Sequence, residues 1–152
     1  MRLYFLILRL AAAFGHRKAR LLVQGQDKTL AAIRKDKRLH ADNHPLIWFH
    51  AASVGEFEQA RPIIERLRQE KYPCKILLTF FSPSGYEMRK NYDKADAVYY
   101  LPFATTKNAA AFLEAVKPTM AVFSKYEFWP AYLKALKERN IATYSISAIF
   151  RK

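Results

Sequence analysis

The strongest structural signal in the chain lies in residues 46–56, which read LIWFHAASVGE. The first six of these residues are apolar or aromatic apart from His50 and show no alternation, so they predict a strand buried on both faces. Small residues follow, Gly55 allows a tight turn or a close approach to a ligand, and Glu56 opens a helical pattern. A buried strand that passes directly into a helix is typical of a parallel sheet covered by helices.

The same alternation recurs along the rest of the chain. Further apolar runs occupy residues 75–81, 97–101, 119–123 and 143–147, and helix-like segments occupy residues 56–71, 84–92, 106–117 and 128–139. This order predicts βαβ units, and therefore an α/β fold with a Rossmann-like parallel sheet and helices on both faces. We expect residues 43–152 to form this domain. Because the chain ends just after its fifth apolar run, we also expect it to be a fragment of a longer chain.

The chain is strongly basic, and the excess of charge is concentrated near its beginning. The formal net charge is +13 over 152 residues, and residues 1–45 hold ten Lys or Arg against three Asp. Such a balance indicates a partner rich in negative charge: nucleic acid, an anionic membrane face or a phosphorylated substrate. Composition alone leaves these three possibilities open.

Residues 3–14 form an apolar segment that is interrupted by Arg9 and followed by Arg17, Lys18 and Arg20. The segment is shorter than the roughly 20 residues needed to span a bilayer. We interpret it as an anchor lying in an anionic membrane interface, with a helix packed on the domain as the alternative. Residues 17–38 predict a basic helix and residues 42–45 a linker. Residues 1–42 are thus predicted to be a membrane-associating, basic helical segment.

Several kinds of site find no support in the sequence. It contains neither a Gly-x-Gly-x-x-Gly fingerprint nor a P-loop, and its Cys and His residues lack the spacing of metal ligands. We therefore expect no cofactor and no metal. Cys74 is the only cysteine, which excludes an intrachain disulfide, and we interpret it as a small buried hydrophobic residue.

Candidate functional residues lie in the loops that follow the strands, because open parallel sheets bind ligands beyond the carboxyl ends of their strands. Glu56 either complements the dipole of its helix or acts as a general base. Glu127 follows another buried strand at the same edge, and paired carboxylates facing one crevice suit acid–base chemistry on a hydroxyl group. In residues 82–87 the serines either cap a helix or hold an anion. His50 is expected to be a core histidine.

These loops carry a family resemblance. Residues 48–56 resemble the W-x-H-x-x-S-V-G-E signature of bacterial 3-deoxy-D-manno-octulosonic acid (Kdo) transferases, residues 82–87 are similar to their T/S-P-T/S-G-x-E segment, and residues 127–130 to their E-L/F-W-P. Tyr100-Leu101-Pro102 matches another short element. The motifs occur in the family's order over about residues 46–150. Departures include Lys125, Ala131 and residues 147–151, which bear on the details of the acceptor.

The resemblance implies the N-terminal, acceptor-binding half of a two-domain GT-B glycosyltransferase that inverts the anomeric centre without a metal. It implies that Glu56 is the general base and Glu127 a second essential acid. The acceptor pocket would be shaped by the residues Ser53, Gly55, Ser84, Gly85 and Lys125. The donor would be CMP-Kdo, bound by a C-terminal domain, and the acceptor a phosphorylated lipid A precursor at the cytoplasmic face of the bacterial inner membrane.

Two other classes of function remain as alternatives. A basic α/β module that binds nucleic acid would explain the charge, although the strand-end loops lack the clustered basic and aromatic side chains of such surfaces. We therefore expect no nucleic-acid partner. A scaffold domain that binds only protein would give no special role to Glu56 or Glu127.

Overall fold

The computed structural model describes residues 7, 10, 11, 13–125 and 127–147. Within them lie five strands: β1 (Leu46–Ala51), β2 (Lys75–Phe80), β3 (Ala97–Tyr100), β4 (Met120–Ser124) and β5 (Ala142–Ile146). The helices from residue 17 onward are α1 (Arg17–Lys35), α2 (Lys37–His40), α3 (Val54–Gln69), α4 (Pro83–Arg89), α5 (Thr106–Val116) and α6 (Pro130–Glu138).

All five strands belong to one parallel sheet in the order β3-β2-β1-β4-β5. From the central strand β1 the chain moves outward through β2 and β3, then crosses back to place β4 on the other side of β1. The strand order therefore reverses between β1 and β4, which is the topological switch point where open α/β sheets form their binding crevice. The predicted Rossmann-like fold is confirmed.

Helices cover both faces of the sheet, and each face has its own hydrophobic core. Alternate residues of β1 point to opposite faces, so that Trp48 joins one core and Phe49 the other. The Trp48 core lies under α1, α2, α5 and α6, and the Phe49 core lies under α3 and α4. Both β1 and β2 are buried along their whole length, which explains why their sequences show no polar alternation.

The strands begin and end within one residue of their predicted positions, whereas the helices differ more. Helix α3 begins at Val54, two residues before the predicted start, and Ser53 holds the N-cap position without a side-chain hydrogen bond to the backbone. Helix α6 begins at Pro130, which suits a first turn because proline has no N–H to leave unpaired. Helix α4 ends at Arg89, three residues before its predicted end.

The basic segment predicted as one helix over residues 17–38 is two helices. Asp36 adopts an extended conformation between them, and its carboxylate accepts the backbone N–H of Arg38 at 3.0 Å and the hydroxyl of Tyr99 at 2.8 Å. Helix α1 buries apolar side chains, including Leu22 and Ile33, against the rest of the domain. The division between residues 1–42 and 43–152 stays a prediction.

The predicted membrane anchor, residues 3–14, lies largely outside the described residues. Its described large hydrophobic side chains Ile7, Leu10 and Phe14 are exposed, the last to 88%. Among the described helices, none combines the length and the apolar character needed to cross a membrane.

Candidate active site

The two glutamates singled out from the sequence follow β1 and β4, the neighbouring strands on either side of the switch point. Glu56 lies in the first turn of α3, and Glu127 lies three residues beyond the end of β4. Because β1 and β4 are parallel and paired, both loops emerge at the same edge of the sheet. The predicted placement at one edge is confirmed, whereas the catalytic roles of the two residues stay predictions.

Glu56 is held by the residue that begins its own helix. The hydroxyl of Ser53 donates to Oε2 of Glu56 and makes no cap hydrogen bond to the backbone. This hydrogen bond lowers the pKa of Glu56, partial burial opposes the effect, and the positive charge of Lys125 lowers the pKa further. Glu56 is therefore ionised at neutral pH. These contacts are compatible with a general base and equally with a carboxylate that complements the dipole of α3.

Lys125 links the loop after β4 to the loop after β1. Its backbone is in the left-handed region, with φ of 54°, and its N–H donates to the carbonyl of Ile146 at 2.8 Å. Its carbonyl accepts the hydroxyl of Ser145 at 2.8 Å. Strand β5 thus fixes this turn, and the ammonium charge acts on Glu56 across the switch point.

Glu127 lies at the same edge, beside the aromatic rings of Trp129 and His50. Its Oε2 accepts a hydrogen bond from Nε1 of Trp129 at 2.8 Å and lies 3.8 Å from Nε2 of His50. The Trp129 ring also packs on Phe81, with 4.9 Å between the ring centroids. The side chain of Glu127 is 20% exposed, so the carboxylate remains reachable from solvent.

A buried polar pair behind Glu127 was not predicted as part of the site. His50 and Thr79 face each other in the register of β1 and β2, and both are buried. Oγ1 of Thr79 lies 2.9 Å from Nδ1 of His50 and accepts Nε1 of Trp48 at 2.8 Å. A signal existed in the sequence, because polar residues interrupt two otherwise apolar strands. His50 is a buried histidine, as expected, but its Nε2 has no hydrogen-bond partner and faces Glu127.

The loop after β2 forms a capped helix start next to the loop after β1. Oγ of Ser82 accepts the backbone N–H of Gly85 at 3.1 Å, so Ser82 caps the start of α4. The backbone N–H of Ser82 donates to the carbonyl of Ala52 at 2.7 Å. Ser84 is exposed, whereas Gly85 is buried, and a Cβ on Gly85 would lie 2.7 Å from the ring of Phe80. Gly85 is therefore required for packing, and the hydroxyl of Ser84 lies 3.3 Å from that of Ser82.

Gly55 is exposed beyond the carboxyl end of β1 and does not have a positive φ. A Cβ at this position would meet only Oγ of Ser53, at 3.8 Å. The local backbone therefore does not require glycine here. The open space above Gly55 allows a ligand to approach the main chain closely.

A groove between α1 and α4 extends the site on the β3 side. Two cavities, of about 290 and 210 Å³, share Leu21 and Glu87 as lining residues. The smaller cavity is also lined by Arg17, Lys18 and Ser84. The basic face of α1 thus lies directly beside the loop after β2.

Within the described ranges no group of three or more His, Cys, Asp or Glu side chains is arranged to hold a metal ion. Cys74 is buried, and burial raises the pKa of its thiol, as expected for a small hydrophobic residue in a core.

The fold and the edge residues define a class of protein. A Rossmann-like parallel sheet with acidic loops across its switch point is consistent with the N-terminal half of a GT-B glycosyltransferase. The family model described as 3-deoxy-D-manno-octulosonic-acid transferase (kdotransferase) matches residues 18–152, and the chain belongs to this family.

Individual relatives support the same assignment. The chain is 35% identical over 88 residues to a 3-deoxy-D-manno-octulosonic acid transferase of Aquifex aeolicus, covering 57% of this chain and 24% of that protein. It is 33% identical over 96 residues to the transferase of Haemophilus influenzae, and the match covers 62% of this chain and 22% of that protein. It is 30% identical over 149 residues to the transferase of Rickettsia bellii, and the match covers 93% of this chain and 35% of that protein. The chain thus spans about a quarter to a third of these relatives.

Proposed function

We propose that this chain is the acceptor-binding half of a Kdo transferase of lipopolysaccharide core biosynthesis. It binds a phosphorylated lipid A precursor and supplies Glu56 as the general base for transfer of Kdo from CMP-Kdo. The observation that carries the proposal is the position of Glu56 and Glu127 just beyond the carboxyl ends of β1 and β4, the two strands that flank the switch point. A crevice at this place, with carboxylates on both sides, suits the deprotonation of a sugar hydroxyl.

The proposed reaction is a single inverting displacement. The acceptor hydroxyl oxygen forms a bond to the anomeric carbon of Kdo, the bond from that carbon to the phosphate oxygen of CMP breaks, and CMP leaves with the electron pair. Glu56 takes the hydroxyl proton as the new bond forms. Glu56 is ionised at neutral pH and can accept a proton without prior deprotonation, and its lowered pKa makes it a weaker base than an unperturbed glutamate.

Other residues of the site orient the acceptor in this proposal. Glu127 accepts a hydrogen bond from an acceptor hydroxyl, and Lys125 balances the charge of Glu56 and meets anionic groups of the acceptor. Ser53 and Gly55 shape the pocket beside the base. The exposed hydroxyl of Ser84 contacts the acceptor from the loop after β2, and Gly85 acts indirectly through packing.

The basic face of α1 provides for the phosphates and for the membrane. Arg17 and Lys18 line the groove next to Ser84, where guanidinium and ammonium groups would pair with phosphate oxygens. Residues 1–42 would hold the domain on the anionic cytoplasmic face of the inner membrane, where a lipid acceptor is available. CMP-Kdo would be bound mainly by a C-terminal domain outside this chain.

A transfer assay tests the proposal. The chain is joined to the remaining C-terminal part of the Aquifex aeolicus relative, and Kdo transfer from CMP-Kdo to a phosphorylated lipid A precursor is measured. We expect the chimera to be active and Glu56→Gln to lower its rate by roughly 10²–10⁴-fold, the usual contribution of a general base. Circular dichroism checks that the variant keeps its fold.

Glu58→Gln is the matched control. Glu58 lies on the same helix and pairs with Arg61 and Arg89, so its removal changes the charge of α3 equally without touching the crevice. It should leave the transfer rate unchanged. A folded chimera without activity, or a Glu56→Gln variant as fast as its parent, would refute the assignment.

A further inference from the structure

His50 is a fully buried histidine that engages one ring nitrogen and directs the other toward Glu127. Its side chain has no exposed surface, its Nδ1 lies 2.9 Å from Oγ1 of Thr79, and its Nε2 has no hydrogen-bond partner. A neutral imidazole carries one proton, and the nitrogen that holds it determines whether Nε2 repels or attracts the carboxylate.

The hydrogen bonds around Thr79 identify that nitrogen. Nε1 of Trp48 can only donate, so Oγ1 of Thr79 accepts at 2.8 Å and keeps one proton of its own to give. Two acceptors compete for this proton: Nδ1 of His50 at 2.9 Å and the carbonyl of Phe49 at 3.4 Å. The shorter contact has the normal length of a hydrogen bond and the longer one exceeds it. If Nδ1 donated instead, the hydroxyl proton of Thr79 would be left with only the Phe49 carbonyl at 3.4 Å, so the distances favour donation from Thr79 to Nδ1 with the ring proton on Nε2.

The surroundings of Nε2 favour the same tautomer. Oε2 of Glu127 lies 3.8 Å away, and it also accepts the indole N–H of Trp129. An unprotonated Nε2 would direct its lone pair at a carboxylate in a buried setting, which is unfavourable. A protonated Nε2 is attracted to Oε2, and a small movement of the carboxylate when a ligand binds would close the distance to a hydrogen bond.

We propose that His50, in its Nε2–H tautomer, is a positioning residue for Glu127. The chain of donors runs from Trp48 to Thr79 to His50, and it directs an N–H at Oε2 while Trp129 directs a second one. The described contacts engage Oε2, which leaves Oε1 to meet an acceptor hydroxyl. The functional part of this inference rests on the proposed role of Glu127 in the acceptor site.

The tautomer can be measured on the chain itself. Long-range ¹H–¹⁵N correlation spectra, recorded at a pH where the ring is neutral, distinguish a protonated from an unprotonated ring nitrogen. His50→Gln assigns the signals among the four histidines. We expect the proton on Nε2 in the unmutated chain and in Thr79→Ser, and a smaller Nε2–H fraction in Thr79→Val. A proton on Nδ1 would overturn the assignment, and the same tautomer ratio in Thr79→Val would show that Thr79 does not determine it.

The positioning role is tested in the transferring chimera. His50→Gln retains an amide N–H near the place of Nε2–H, whereas His50→Phe keeps the ring volume without a donor. We expect the Phe variant to lose about tenfold or more in kcat with little change in KM, the scale found when the partner orienting a reactive ligand is removed. The Gln variant should recover most of this loss. Equal kcat values for the Phe variant and the parent would contradict the role.

The isosteric Thr79→Val covers the case in which His50→Phe fails to fold, because it removes the donor to Nδ1 and leaves the ring in place. It should also lower kcat more than it changes KM, and Thr79→Ser should restore the rate. The tautomer of His50 and the role of Glu127 in transfer are tested separately. A fully active Glu127→Gln chimera would remove the role of Glu127 in transfer, whereas the spectra would still decide the tautomer.

Discussion

Glu56 shows how a single side chain can serve a helix and a crevice together. Its carboxylate accepts a hydrogen bond from the hydroxyl of Ser53 at the start of α3. The positive charge of Lys125, which follows β4, also stabilises its ionised form. Both contacts favour the ionised form, so the pKa of Glu56 lies below its ordinary value of 4.5. The residue therefore stabilises the folded state at neutral pH, and this contribution disappears as the pH falls through the lowered pKa.

Ser53→Ala tests this linkage, because it removes the largest cause of the shift. We expect the pKa of Glu56 to rise, and the free energy of unfolding at neutral pH to fall by about 0.5–1 kcal/mol, as for a lost helix-start interaction. The loss should shrink as the pH falls through the lowered pKa of Glu56 in the parent protein, below which the carboxyl group is protonated in both proteins. Urea unfolding of both proteins, at neutral pH and at a pH below the lowered pKa of Glu56, measures this loss of stability.

Ser82→Ala is the control for this experiment, since Ser82 caps α4 through the N–H of Gly85 and its bond involves no carboxylate. Its cost should be similar at both pH values. An equal cost for Ser53→Ala in neutral and acidic solution would show that the serine does not act through Glu56.

Two glycines give opposite predictions for the same change. A Cβ on Gly25 would lie 2.3 Å from the ring of Tyr100, whereas a Cβ on Gly55 would make only an ordinary contact with Oγ of Ser53 at 3.8 Å. Although alanine favours helices by about 1 kcal/mol, overpacking costs about 1–3 kcal/mol, so Gly25→Ala should destabilise the protein by up to about 2 kcal/mol. Gly55→Ala should leave stability unchanged or slightly raised and weaken acceptor binding. Urea unfolding and acceptor titration measure the two effects, and a destabilised Gly55→Ala would contradict the open space.

At the scale of elements, the strands were predictable and the details behind the site were not. Apolar runs without alternation indicate β1, β2 and β4 directly, because each is buried on both faces. The partnership of His50 with Thr79 depends on the register between β1 and β2, which sequence alone does not supply. A polar residue in each of two apolar strands is the only trace it leaves.

Helix α1 shows a second limit. The basic pattern predicts a helix, but the break at Asp36 is stabilised by a hydrogen bond from Tyr99, a residue on β3. Such a contact between distant parts of the chain overrides the local preference of the sequence. The groove that α1 forms with α4 is likewise a consequence of tertiary packing and could not be read from the charge pattern.

The proposed membrane role of α1 can be tested by removing its exposed cations. Replacing Arg17, Lys18 and Arg20 with Gln should weaken binding to vesicles that contain anionic lipid by roughly a hundredfold, since each surface cation contributes about 1 kcal/mol. The matched control replaces three exposed lysines of α5 and α6, Lys107, Lys134 and Lys137. Sedimentation with vesicles measures binding. An equal loss in both triple variants would indicate an effect of net charge alone.

For the whole molecule, topology determines what the site can do. Glu56 and Glu127 are 71 positions apart in the sequence, and a crossover from β3 to β4 brings their loops to adjacent strand ends. The order of buried strands predicted this edge, and the family motifs predicted which residues occupy it. The distribution of roles could not be predicted, because it depends on contacts such as those of Lys125 with Glu56 and of Trp129 with Glu127.

Binding of the acceptor to the chain itself tests the central claim that these two loops form one site. Backbone amide spectra are recorded while a phosphorylated lipid A precursor is added in detergent micelles, with empty micelles as the reference. We expect the largest changes together in residues 51–56 and 124–129, at the carboxyl ends of β1 and β4. Changes confined to the opposite edge of the sheet, with both loops unaffected, would contradict the account.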